Sequence, residues 1–181
     1  MYMKHLCLLT FTSLLTMNMA FAASHTITKT PAVVVATNTS CAAVLHTKEP
    51  FILVLSKGDN ILEKITQCAK EAKLTSAAIS GLGQVQNPKL AYFTSNPNDK
   101  PIVTTFSGFY ELAGLNGNIT NNQNHYYTHA HVVLADKEFH GIAGHLDQAK
   151  VGLTAEITIV SLPTAAQRAV DEKTGFGPIV G

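Results

Sequence analysis

One amphipathic segment followed only by strand-like runs is the feature that most constrains this chain. Ile61, Leu62, Ile65, Cys68, Ala69 and Ala72 recur at helical spacing, while Glu63, Lys64, Gln67, Lys70 and Glu71 fall on the opposite side. Asp59 or Asn60 can cap the start of that helix. Before it, the apolar run 51–55 closes on Lys57-Gly58-Asp59 and reads as a buried strand and turn. After it, strands are expected at 76–79, 89–94, 102–106, 109–115, 126–134 and 153–162. In the last of these Thr154, Glu156 and Thr158 alternate with Ala155, Ile157 and Ile159, which marks a sheet with one wetter face. One early helix and many strands predict an α+β fold. Gly81 and Gly83 predict a backbone bend or the close approach of another segment. They lack the third glycine and acidic partner of a dinucleotide site. Asn116-Gly117 carries a turn signal, 120–124 reads as a polar loop, and 163–181 should lie on the surface.

The start of the sequence has the three-part layout of a secretory signal. Lys4 is followed by an apolar stretch to about Met19 and then by Ala20-Phe21-Ala22. Cleavage after Ala22 leaves 159 of the 181 residues, enough for one domain with its own core. Residues 1–22 are thus expected as signal peptide, 23–49 as a linker or N-terminal extension, and 50–181 as the folded domain with its tail. The expected location is the periplasm or the exterior, and no later stretch is long enough to span a bilayer. Lys4 is the one charge lost, so the 13 basic and 12 acidic residues of the whole chain become equal in number. That balance argues against nucleic acid, which demands concentrated positive charge. Cys41 and Cys68 remain. In an oxidising compartment they can form a disulfide, although Cys68 suits a packed helix position equally well.

Five of the eight histidines fall between residues 125 and 145. On a strand, side chains two apart share a face, so His129 and His131 point together while Ala130 and Val132 point away. His145, preceded by Gly144, is the third candidate ligand, since glycine lets the backbone come close. Three neutral imidazoles suit zinc or another divalent transition metal and leave a position open for water or substrate. His125 and His140 read as loop histidines. Glu111, the one acid in its expected strand, can orient a ligand from behind or form an edge salt bridge. No serine stands in a Gly-x-Ser-x-Gly elbow.

Taken in order, several segments resemble one family, the plants-and-prokaryotes-conserved (PPC) domain. They are the strand, turn and helix from Leu55 to Lys73 and the Ala78-Ile79-Ser80-Gly81-Leu82-Gly83 segment. Tyr110-Glu111-Leu112 with Leu115-Asn116-Gly117-Asn118-Ile119 follows, then His129-Ala130-His131 and Gly144-His145-Leu146. The tail Arg168…Asp171…Thr174-Gly175-Phe176 also fits. The resemblance implies a largely antiparallel sheet with a flanking helix, a homotrimer, and metal ligation by His129, His131 and His145. Ala143 stands where the family has the first glycine of Gly-Gly-His. The Arg-Gly-Arg-Pro hook of the plant DNA-binding members has no counterpart here. The leading expectation is therefore an exported metal-binding PPC-domain protein. The alternatives are a zinc-dependent hydrolase or lyase using metal-bound water, with Glu111 or His140 moving protons, and a DNA- or protein-binding module.

Overall fold

The computed structural model describes residues 34–37, 41–44, 49–96, 98–174 and 176–180. The expected signal at 1–22 lies outside them, as do residues 23–33. The described chain forms β1 (Val34–Thr37), a 3-10 turn (Ala42–Val44), β2 (Phe51–Ser56), α1 (Ile61–Glu71), β3 (Ala77–Tyr92) and β4 (Ile102–Thr105). There follow β5 (Phe109–Asn122), β6 (His125–Ala135), β7 (Gly141–Ser161), β8 (Gln167–Arg168) and β9 (Ile179–Val180). Seven strands make one sheet in the order β1-β2-β7-β6-β5-β3-β4, and β7 also pairs with β3. The pairings β3–β5, β5–β6, β6–β7 and β7–β3 are all antiparallel and close a circuit. Among the described residues only β1 and β2 run parallel. These residues thus form a mostly antiparallel β structure with one short α-helix.

The helix forms where the apolar spacing places it. Ile61, Ile65, Cys68 and Ala69 are buried. Asn60 caps the start: its side-chain oxygen accepts the Glu63 N–H at 3.4 Å, and its amide donates to the Glu63 carboxylate at 2.9 Å. The buried face packs on β6, β7 and β2. Phe51, Leu53, Leu55, Leu112, Leu115, Ile119, Leu134, Leu146, Ile157 and Ile159 are buried in one core cluster with the helix's apolar face. Burying each such side chain stabilises the fold by roughly 1.5–3 kcal/mol. No helix among the described residues is long and apolar enough to cross a membrane.

Several strand boundaries differ from the sequence expectation. The runs expected at 76–79 and 89–94 are one 16-residue strand, β3. It bends instead of ending, because its register shifts at Gly81/Gly83 against β5 and again at Gly83/Val85 against β7. Gly83 has φ +145, and a Cβ there would sit 2.7 Å from the Ala155 Cα, so the glycine serves bend and close approach together. Asn116-Gly117 is no turn. Gly117 pairs with Ala130 inside β5, and the strand runs on through Thr120 to Asn122. The turn is Gln123-Asn124, with φ values of 51 and 70 as a two-residue hairpin connection requires.

Part of the expected N-terminal extension also carries structure. Cys41 and Cys68 are joined by a disulfide across a sequence separation of 27. The Cys41 backbone N–H donates to the Glu71 carboxylate at 2.7 Å, which holds that carboxyl below its ordinary pKa. Cys41 and Val44 are buried in the common core.

Candidate metal centre

The centre is built by the β6–β7 hairpin. Its turn is organised by Asp136, whose carboxylate accepts the Glu138 and His140 backbone N–H groups at 2.9 and 2.8 Å. Phe139 takes φ 64 to close it. The resulting register sets His131 directly opposite His145. His129, two residues before His131, shares their face, while Ala130 and Val132 on the other face are buried in the core. From behind, α1 braces the strand through a 2.7 Å hydrogen bond between the Thr66 and Thr128 hydroxyls.

Three imidazoles therefore converge. Their ring centroids are 5.0 Å (His129–His145), 5.3 Å (His129–His131) and 5.3 Å (His131–His145) apart. One ligand nitrogen from each lies within 4.8 Å of the others. His129 Nε2 and His145 Nδ1 are 3.2 Å apart. Two nitrogens on one tetrahedral zinc, each bonded at about 2.05 Å, sit about 3.3 Å from one another. The pair is already at chelating distance, and the exposed His131 offers its ring nitrogen within 4.8 Å of both.

Electrostatics favour the neutral, ligating form. Burial, His145, Arg168 and His131 together lower the His129 pKa to about 4. His145 is lowered too, chiefly by burial and then by His131, with Asp147 pulling the other way. No acid belongs to the cluster.

Two expected participants do not reach it. Glu111 lies opposite Ala135 on β5 and accepts a hydrogen bond from the Gln84 amide at 3.0 Å, so its carboxylate serves the sheet surface. His140 stays in the hairpin turn, 3.4 Å from the Asp136 carboxylate and largely exposed. Neither is placed to move protons for the three histidines. His125 is exposed as expected, but it opens β6 instead of lying in a loop, and it lines the cavity that the three histidines face.

Residues the sequence reading passed over complete the surroundings. Arg168, on β8, donates through Nη2 to His129 Nδ1 at 3.2 Å and to the Asn118 side-chain oxygen at 2.7 Å. Through Nη1 it donates to the Gly177 carbonyl at 2.7 Å. Its guanidinium carbon stands 5.3 Å from the centroid of the Tyr127 ring. Phe93 meets His145 edge-on at 5.2 Å and Phe176 at 5.3 Å. The tail expected on the surface thus folds across the histidines and walls a cavity of about 550 Å³. Tyr127 was accessible to the same period-two argument that paired His129 with His131. Arg168 and Phe176 had no local signal beyond their place in the family-like tail.

The comparisons with known proteins agree with this geometry. The family model described as the Plants and Prokaryotes Conserved (PCC) domain matches residues 43–163. No curated protein matches the chain. Among solved structures, it is similar to a plant- and prokaryote-conserved protein of Pyrococcus horikoshii at 26% identity and a TM-score of 0.67, covering 74% of this chain and 92% of that one. It is similar to a candidate DNA-binding protein of Ralstonia eutropha at 27% identity and a TM-score of 0.65, covering 71% and 89%. A metal-containing protein of Archaeoglobus fulgidus shares the fold at 23% identity and a TM-score of 0.67, covering 76% and 96%.

Proposed function

Because this chain belongs to the Plants and Prokaryotes Conserved domain family, we propose that it is an exported, trimeric protein that holds one divalent transition metal, zinc foremost, on His129, His131 and His145. The convergence of three ligand nitrogens within 4.8 Å carries this reading. The donor set fits: all three are imidazoles, and the lowered pKa values of His129 and His145 keep those two unprotonated at neutral pH. The metal content named for the Archaeoglobus protein agrees with it. When bound, such an ion supplies Lewis acidity and an open coordination position.

Export is supported by the Cys41–Cys68 bridge, since disulfides persist in oxidising compartments. Assembly is supported by apolar side chains left in solvent, among them Ile102 and Val103 on the edge strand β4. Cobalt(II) titration tests the metal site. Absorption bands of a low-coordinate cobalt should saturate at about one equivalent per chain and vanish in the His129→Ala/His131→Ala/His145→Ala variant. Unchanged bands in that variant would sink the reading. Sedimentation equilibrium should give a trimer mass, and a monomer would remove that part alone. The description of the Ralstonia protein keeps DNA binding open to trial. A near-neutral chain should show no salt-steep affinity for duplex DNA.

A further inference from the structure

Among the described residues Arg168 has no counter-ion. All three acceptors of its guanidinium, the Gly177 carbonyl, the Asn118 amide oxygen and the His129 ring nitrogen, are neutral. Its Nε is buried without a partner. Among the described residues no carboxylate forms an ion pair with it, and no acidic side chain lines the cavity it faces. Asp147, the acid that acts on His145, is already paired with Lys89 at 2.7 Å. A half-buried charge left in this way favours any anion that can enter.

The cavity wall has the opposite character. Phe93, Tyr127, Val170 and Phe176 face it, and all four leave substantial apolar surface in solvent. Exposed apolar side chains gathered around a concave space mark a ligand site more often than bare surface. The volume, about 550 Å³, falls within the roughly 300–1,000 Å³ of small-molecule pockets.

We propose that this cavity binds an organic monocarboxylate, its carboxylate set between the histidine cluster and the Arg168 guanidinium, its apolar body against Phe93, Tyr127, Val170 and Phe176. This deepens the metal-site reading and rests on it in one respect: a dication on three neutral imidazoles beside a guanidinium sharpens the need for an anion. Were His129 to hold an ion through Nε2, its ring proton would sit on Nδ1, which could then no longer accept from the guanidinium. An Nη2–H would be free for a carboxylate, the partner that guanidinium geometry suits best.

Calorimetric titration of the zinc-loaded protein with phenylacetate tests the proposal, beside phenylacetamide (same shape, no charge) and acetate (charge, no body). Phenylacetate should bind at least about tenfold more tightly than either, the scale of one charge-assisted contact. Arg168→Gln should cut the preference for acid over amide about tenfold, and Arg168→Lys should keep most of it. Phe93→Ala should weaken phenylacetate and leave acetate unchanged. Equal affinity for acid and amide, or a preference undiminished in Arg168→Gln, overturns the proposal. Zinc content measured on the same samples separates the two readings. Full zinc without phenylacetate binding removes the anion site alone. An Arg168-dependent acid preference in protein that takes up no zinc removes the metal alone. Thermal melts establish that each variant is folded, and the lysine and Phe93 variants decide the matter should the glutamine variant not fold.

Discussion

Replacing Cys41 and Cys68 together by alanine cuts the covalent tie between the N-terminal turn and the helix that braces β6. The bridge closes a loop with a sequence separation of 27, and the chain-entropy relation gives about 3.5 kcal/mol of stabilisation for a loop of that length. Both cysteines are buried, so removing their sulfur atoms adds a smaller packing loss in the same direction. The 2.7 Å bond from the Cys41 N–H to Glu71 is made by the backbone, so the substitution removes neither of its partners. The sequence has no tryptophan, so urea unfolding is best followed by circular dichroism, with and without reductant. The variant and the reduced wild type should lose similar stability and melt roughly 7–14 °C lower. Zinc stoichiometry should not change, because the bridge touches none of the three histidines. A loss below about 1 kcal/mol would show that the unfolded chain gains little freedom when the link is cut, contrary to the loop-closure argument.

Other outcomes follow from the site itself. In metal-free protein, folding lowers the His129 pKa from 6.5 to about 4, so the unfolded chain binds more protons between those values. The histidine's contribution is therefore fully present above pH 6.5 and is lost as pH falls towards 4. It should amount to about 1–2 kcal/mol once solvent access is discounted. Urea midpoints of wild type and His129→Gln at pH 7.5 and 5 check this, and a wild type that gains on the variant at the lower pH would contradict it. Gly117→Ala puts a methyl group against the His129 carbonyl and 2.9 Å from the Ala130 Cα. It should cost at least about 1–3 kcal/mol and weaken zinc binding, both read by melting and by competition with a chelator. Gly141→Ala meets nothing within 4 Å and should leave both unchanged.

The helix and the histidine cluster were legible in the sequence because each depends on local periodicity. A 3.6-residue repeat buries Ile61, Ile65, Cys68 and Ala69, and a two-residue repeat sets His129 beside His131. His145 was reachable because its strand forms a hairpin with theirs. Strand lengths were less accessible. Asn116-Gly117 has turn chemistry, but the tight approach of β6 requires glycine at 117, so tertiary packing overrode the local signal. Gln123 and Asn124 adopt the turn without any glycine. Arg168 and Phe176 join the site only when the tail folds back over β6, a long-range contact that no local pattern encodes.

Elemental analysis of the purified protein, prepared without added metal and scaled to protein concentration, bears most directly on the three-histidine centre. The structure leads us to expect about one transition-metal ion per chain, zinc foremost, and almost none when His129, His131 and His145 are all alanine in a variant that still melts cooperatively. Protein that carries no such ion, even after incubation with zinc, or a triple variant that keeps its full complement, would contradict the account.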